Sequence, residues 1–167
     1  MIDRSSVPSS QELAPTARAV QRFWSNVVRG PGNECWIWVG PISTPDGYGR
    51  FTWQTKSVRR TLSAHRFALL LELGEDVPAG YIGEHACCEP LCVRVHEHHL
   101  RVATQAENID YAVFRGRHVG NQRGAGSELR AERSMRVRSA VINGWDKEAL
   151  HSARAGIVHD PEQIPLW

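Results

Sequence analysis

Residues 84–108 read EHACCEPLCVRVHEHHLRVATQAEN and hold three of the four cysteines and four of the eight histidines of the chain. Cys87, Cys88 and Cys92 crowd within six residues of one another. A secreted disulfide scaffold would carry more cysteines, spread more widely through a shorter chain. This crowding beside histidines therefore predicts a metal site in a reducing compartment.

The spacing of these residues indicates which metal. Four residues separate Cys87 from Cys92, as in a zinc knuckle, and a histidine follows within seven residues of Cys92. Cys35 is the only cysteine outside the cluster and is the candidate for the remaining thiolate. A tetrahedral site of three cysteines and one histidine leaves no position open for water, and thiolates suit zinc far better than magnesium. We expect this zinc to be structural.

Outside this segment, the pattern of apolar residues predicts a mixture of helices and short strands. We expect a helix over about 11–29, β-like runs at 35–39, 48–52 and around 57–62, a helix over 64–73 and a strand over 81–85. Thr104 and Glu107 form the Thr-x-x-Glu pattern of a capping box, which predicts a helix from there to about residue 115.

The remaining residues form a polar, glycine-rich segment and two further predicted helices, near 128–143 and 147–155, the second capped by Asp146. The expected fold class is α+β. The expected organisation is an N-terminal helical arm over 1–33, a core over 34–115, a linker over 116–127 and a helical C-terminal extension over 128–167.

Charge is distributed unevenly. The net charge of the chain is only +2. In residues 115–138, however, the charged residues are seven arginines and only two glutamates. A second basic cluster consists of Arg50, Lys56, Arg59, Arg60 and Arg66. Guanidinium groups bind phosphate in a planar, bidentate way, so this clustering favours nucleic acid as a partner. Codon bias is the alternative explanation for the excess of arginine over lysine.

Two classes of protein are disfavoured by the composition. No apolar run approaches the length of a membrane span, so we expect no membrane partner. The first twenty residues lack a basic segment followed by an apolar one, which is the pattern of a secretory signal. The expected location is the cytoplasm.

Four blocks of the sequence together resemble a known family. They are CWIWVGPISTPDGYGRF, AHRFALLLELG, HACCEPLC and HHLRVATQAEN. Successive blocks like these are similar to those of the HNH or His-Me finger (ββα-metal) nucleases of phages and bacteria, and in particular to the His-Cys box homing endonucleases. The resemblance covers roughly residues 22–110, and the joint spacing of its blocks is more specific than any one motif.

The resemblance implies a zinc-stapled ββα-metal core that hydrolyses phosphodiester bonds of double-stranded DNA with Mg²⁺. His85 lies two residues before Cys87 and is implied to be the general base. Asn108 lies nine residues after His99 and is implied to bind the catalytic magnesium. The implied zinc ligands are Cys35, Cys87, Cys92 and His99. Double-strand cleavage by such a core would require two active sites, and hence a homodimer.

This sequence departs from the family pattern at two places. The interval between Cys92 and His99 is two residues longer, so His96 and His98 compete with His99 for the metal. Because neighbours in an extended segment face opposite ways, His98 and His99 cannot both bind. Glu84 stands where many members carry an aspartate that binds the metal, and it could bind through its longer arm or point to solvent. The alternative function is a zinc-stabilised DNA-binding or adaptor module with an inactive nuclease centre.

The last five residues, QIPLW, form a separate motif. They resemble the short bacterial peptide that docks into the sliding clamp of the replisome, which implies contacts through Gln163, Ile164, Leu166 and Trp167. An apolar tail that folds back onto its own domain is the alternative interpretation.

Overall fold

The protein is described here by a computed structural model, which defines residues 14–55, 58–114 and 125–155. These residues form five helices and three two-stranded antiparallel sheets, so the fold is mixed α and β as expected. The elements are α1 Ala17–Trp24, β1 Val27–Arg29, β2 Trp36–Trp38, β3 Arg50–Gln54, β4 Arg59–Ser63, α2 Ala64–Leu73, β5 Tyr81–His85, β6 Leu100–Thr104, α3 Gln105–Phe114, α4 Ala125–Val141 and α5 Lys147–Ala155.

Aromatic side chains from α1, β2, β3 and α2 form the centre of the core. The ring of Phe67 lies 4.8 Å from that of Phe23 and 4.5 Å from that of Phe51, measured between centroids. Trp38 stacks on Phe23 at 5.1 Å, and none of these four side chains is more than 4 % exposed. Aromatic burial of this kind dominates core energetics, and it holds the first two sheets against α2.

The predicted N-terminal helix is wrong in its second half. Helix α1 ends at Trp24, and Val27–Arg29 is instead a strand whose Val28 pairs with Ile37 of β2. Successive β-branched valines favour a strand over a helix once a pairing partner is present. Because β1 pairs with β2, residues 27–29 are attached to the strand that carries the core residues Ile37 and Trp38.

Strands β5 and β6 form a hairpin that leads directly into α3. His85 pairs with Leu100, and Tyr81 pairs with Thr104 at the other end. The predicted capping box is confirmed: the backbone N–H of Thr104 donates to Glu107 at 2.7 Å, and that of Glu107 donates to the Thr104 hydroxyl at 3.2 Å. Sequence analysis did not identify β6, whose residues follow the histidine-rich segment.

The C-terminal helices pack on the core. Val137 and Val141 of α4 and Leu150 of α5 are almost completely buried in the main hydrophobic cluster. Helix α4 begins at Ala125, inside the segment expected to be a linker. The predicted cap of α5 is confirmed, because Asp146 accepts a hydrogen bond from the Ala149 N–H at 2.9 Å. Among the described residues, no helix has the length and apolar character that crossing a membrane requires.

Candidate metal centre and the adjoining histidine site

The metal-binding cluster consists of Cys35, Cys87, Cys92 and His99. One potential ligand atom from each residue lies within 4.8 Å of all the others. Two backbone hydrogen bonds explain how residues so distant in sequence meet. The Trp38 N–H donates to Leu91 and the Val93 N–H donates to Trp36, each at 2.8 Å. These bonds pair the loop after β5 with β2 and carry Cys92 next to Cys35.

The distances within the cluster fit a tetrahedral zinc ion. Zinc–sulfur and zinc–nitrogen bonds of about 2.3 and 2.05 Å at a tetrahedral angle place sulfur and nitrogen about 3.6 Å apart. The His99 Nδ1 atom lies 3.6 Å from the Cys35 sulfur and 3.8 Å from the Cys92 sulfur. The cluster could therefore hold a metal ion such as zinc without rearrangement of these three side chains.

A second contact orients His99 for this role. Its Nε2 atom lies 3.0 Å from the carbonyl oxygen of Asn33. When Nε2–H donates to that carbonyl, the lone pair of Nδ1 faces the sulfurs, which is the arrangement that commonly supports metal-bound histidines. His98 is exposed and lies 3.3 Å from Glu97 instead. Of the two neighbouring histidines, the structure brings His99 to the cluster.

The three thiols interact strongly with one another. Hydrogen bonds from Cys87 and Cys92 lower the pKa of Cys35 to about 2, while the same contacts to Cys35 raise the pKa of Cys87 to about 12 and also raise that of Cys92. A thiolate at one of these sulfurs would be stabilised by the two neighbouring S–H groups. A divalent cation would replace these protons, because the thiolate is the form that binds metal.

His85 lies at the end of β5, beside this cluster. Its Nε2 atom is 3.0 Å from the carbonyl oxygen of Cys92, so the ring is tied to the backbone of a cluster residue. The ring also packs edge-on against His65 at 4.8 Å and stacks with Tyr48 at 6.1 Å. Burial lowers the pKa of His85 to about 4. The imidazole is therefore neutral at pH 7 and retains a nitrogen lone pair.

His65 completes a small group of rings around His85. Its Nε2 atom lies 3.3 Å from the Ser63 hydroxyl, and its Nδ1 atom is buried with no hydrogen-bond partner among the described residues. Burial, and after it the proximity of His85, lowers the pKa of His65. Tyr48 packs on the same ring at 5.0 Å. The sequence predicted only that Tyr48 begins a β-like run, and this contact with His65 was not foreseen.

Glu84 directly precedes His85 at the end of β5. It is 2 % exposed, and one of its carboxylate oxygens accepts a hydrogen bond from Arg101 at 2.6 Å. The other oxygen is buried with no hydrogen-bond partner among the described residues. Of the two roles considered for Glu84, pointing to solvent is excluded by this burial.

Asn108 is half-buried in the first part of α3. Tyr111 lies three residues further along the helix, and its hydroxyl donates to the Ala86 carbonyl at 2.9 Å, directly after His85. Side chains three apart on a helix share a face. The face of α3 that carries Asn108 is thus directed toward the end of β5 at which His85 and Glu84 lie.

Some arginines of the arginine-rich segment, residues 115–138, contact other parts of the protein and are less available to a ligand. Arg138 donates to the Val39 carbonyl at 2.8 Å, and Arg133 pairs with Glu89 at 3.2 Å. The Nε atom of Arg136 is buried. These side chains hold α4 against the core, and phosphate binding by the arginine-rich segment stays a prediction. Arg115, Arg117 and Arg123, and the QIPLW tail at 163–167, lie outside the described residues.

In comparisons with protein-family models, curated proteins and solved structures, no match to this chain is found.

Proposed function

We propose that this protein is a metal-dependent DNA endonuclease of the His-Me finger class, stapled by one zinc ion at Cys35, Cys87, Cys92 and His99. The observation that carries the proposal is the position of His85. It ends the first strand of a hairpin that leads into a helix, and it is bonded at 3.0 Å to the carbonyl of Cys92. The elements follow one another as strand β5, the loop that carries Cys87 and Cys92, strand β6 and helix α3. This is the order that the ββα-metal family implies.

His85 would act as the general base. A neutral imidazole within reach of a water molecule can take its proton as the water attacks phosphorus. Its pKa is lowered to about 4 by burial, so the base form is fully populated at neutral pH. The Cys92 carbonyl fixes the ring by accepting a hydrogen bond, and the opposite ring nitrogen is then the proton acceptor. Because a backbone carbonyl orients the ring, no second titratable side chain is needed to hold His85 in place.

The catalytic magnesium would be held by the side-chain carbonyl of Asn108, together with water and the phosphate itself. An amide oxygen is a hard donor of the kind that Mg²⁺ prefers, and a site with few protein ligands is usual for this ion. When bound, Mg²⁺ would neutralise charge on the phosphoryl oxygen and on the departing 3′ oxygen. The second oxygen of Glu84, buried without a hydrogen-bond partner among the described residues, is the candidate for a further ligand.

Exposed arginines of β4 and α2 would bind the DNA backbone. Arg66 follows His65 at the start of α2, and Arg59 begins β4; both side chains are exposed. Phosphate contacts of this kind position a protein on the duplex without reading its sequence. Arg50 and Arg60 are less available, because they pair with Asp46 at 2.5 Å and with Asp76 at 2.7 Å.

One observation favours the rival function, a zinc-stabilised DNA-binding module with an inactive centre. Glu84 occupies the position of a metal-binding aspartate in the resembled family, and here it forms an ion pair with Arg101 at 2.6 Å. A guanidinium in that place competes with a metal ion for the carboxylate. The adaptor role through QIPLW has no such observation behind it.

The test is incubation of the zinc-loaded protein with supercoiled plasmid in Mg²⁺, in Mg²⁺ with excess chelator, and in Ca²⁺. The endonuclease nicks or linearises the plasmid only with Mg²⁺ or a close substitute, and is expected to leave 5′-phosphate ends. Plasmid that stays intact at micromolar protein, while the same protein shifts duplex DNA on a gel, would establish the rival.

A further inference from the structure

Glu89 is a buried carboxylate in the loop between β5 and β6 that carries Cys87 and Cys92, called the metal loop below. It lies between Cys87 and Cys92 in sequence, and its side chain is 0 % exposed. Two guanidinium groups from the C-terminal helices surround it: Arg133 of α4 at 3.2 Å and Arg154 of α5 at 3.0 Å. The backbone N–H of Leu91 also donates to it at 3.3 Å. A carboxylate is rarely buried so completely unless its partners are charged.

Arg154 extends beyond this ion pair toward the thiol cluster. Its Nε atom is bonded to Glu89, while its Nη2 atom is buried and makes no hydrogen bond of ordinary length among the described residues. Attraction to Glu89, and after it to the Cys35 sulfur, raises the pKa of Arg154 against the opposing effect of burial. Glu89 joins the guanidinium to the cluster, because it lies two residues after Cys87 and its backbone carbonyl accepts a hydrogen bond from the Cys92 N–H at 2.9 Å.

The charges of this buried group balance when three thiolates hold a divalent metal. Three thiolates, one divalent cation, one carboxylate and two guanidinium groups sum to zero. Zinc bound by three thiolates and a neutral histidine carries a net charge of −1, and Glu89 adds another negative charge. Arg133 and Arg154 supply the two compensating positive charges. Buried charge is tolerated when it is paired and hydrogen-bonded, and here the pairing spans the metal loop and both C-terminal helices.

We propose that Arg154 is a positioning residue of the zinc site, and that α4 and α5 serve as a cover whose arginines neutralise and retain the metal–thiolate cluster. The C-terminal extension is then a part of the metal centre rather than an independent appendage. This inference rests on the zinc assignment within the proposed function, but not on nuclease activity. Outer-shell groups of this kind commonly change metal affinity by about 10–100-fold.

The experiment measures the rate of zinc transfer from the full-length, zinc-loaded protein to an excess of a chromogenic chelator. We expect Arg154→Met to release zinc about tenfold faster or more, because the guanidinium that faces the sulfur is removed. Arg154→Lys keeps the positive charge and should restore most of the retention. The matched control is Arg138→Met, which removes an arginine that anchors α4 to Val39 without touching the cluster. Its release rate should stay within about twofold of the unaltered protein.

Equal release rates for the unaltered protein and folded Arg154→Met would overturn the inference, and so would equal acceleration by Arg138→Met, because α4 packing alone would then explain retention. If Arg154→Met does not fold, Arg154→Gln replaces it, since glutamine can still donate to Glu89 but carries no charge. Absence of zinc from the unaltered, well-folded protein is a different outcome and overturns the metal assignment itself.

Discussion

Two neighbouring groups of side chains, the Cys35, Cys87, Cys92 and His99 cluster and the pair His85 and Asn108, differ in the donor atoms that they could offer to a metal. The Cys35, Cys87, Cys92 and His99 cluster is buried, has soft donors and is complete without water. The region of His85 and Asn108 is half-buried and offers one imidazole and one amide. A complete, closed set of donors stabilises a fold, whereas an incomplete set leaves positions for water and substrate. The comparison separates a structural site from a candidate catalytic site only a few residues away.

The largest effect is expected when the cluster of Cys35, Cys87, Cys92 and His99 is disrupted. Cys87→Ser should yield insoluble or molten protein, because the binding free energy of structural zinc, about 10–16 kcal/mol in small domains, contributes directly to folding. Cys88→Ser is the matched control, since Cys88 is adjacent, half-buried and outside the cluster. Circular dichroism and elemental analysis of both variants provide the measurement, with one zinc per chain expected for the control. A well-folded, zinc-free Cys87→Ser protein would show that the cluster does not staple the fold.

The second prediction concerns the open site. His85→Ala should keep the fold and its zinc but lose cleavage by roughly a hundredfold, the usual scale for a general base. His98→Ala is the control, because that side chain is exposed and lies outside the cluster. Single-turnover cleavage of a labelled duplex measures the difference. Unchanged cleavage in folded His85→Ala would remove His85 from the mechanism.

The pH dependence follows from the sign of the pKa shift. Burial lowers the pKa of His85 to about 4, so the neutral, proton-accepting form persists from pH 8 down to about pH 5. Protonation of His85 should reduce the rate only as the pH falls through about 4, and not near the ordinary histidine pKa of about 6.5. A cleavage rate that falls tenfold between pH 7.5 and pH 5.5, in protein that stays folded and zinc-loaded, would contradict this environment for the ring.

A smaller effect sharpens the roles of the two candidate magnesium ligands. Asn108→Ala should raise the Mg²⁺ concentration required for half-maximal cleavage by about tenfold or more. Glu84→Gln, if Glu84 serves only Arg101, should leave that concentration unchanged and lower stability by about 1–2 kcal/mol. This cost is smaller than the 3–5 kcal/mol of a fully buried pair, because Arg101 is 40 % exposed. A raised Mg²⁺ requirement in Glu84→Gln would instead assign Glu84 to the metal.

The smallest expected effects distinguish arginines that bind DNA from arginines that hold the fold. Arg138→Met should lower stability by about 1–2 kcal/mol, because it removes a charged hydrogen bond, and should leave the salt dependence of DNA binding unchanged. Arg59→Gln with Arg66→Gln should do the reverse, flattening the salt slope by about 0.9 for each phosphate that is no longer neutralised. Binding isotherms at several salt concentrations and thermal melts separate the two classes. A flatter salt dependence of DNA binding in Arg138→Met would show that Arg138 contacts DNA.

Local signals explain which elements were predictable. The bounds of α2 and β5 agree with the predictions, because a glycine ends the helix and a turn precedes the strand. The capping box at Thr104 is a contact between residues three apart and depends on no distant partner. Strand β6 and strand β1 could not be found in this way. Each is short, and each is stabilised by a pairing partner that sequence proximity does not reveal.

The sequence by itself determined the chemistry of the cluster: three thiols and an imidazole at zinc spacing, with a histidine two residues before the first thiol of the loop. The direction in which each of these side chains points was decided by the tertiary structure. It selected His99 over His98 through the Asn33 carbonyl, and it turned Glu84 toward Arg101. It also directed Arg133 and Arg154 inward to Glu89. Spacing specifies which groups can meet, but a side chain's partner depends on which face of an element is buried, and only packing sets that.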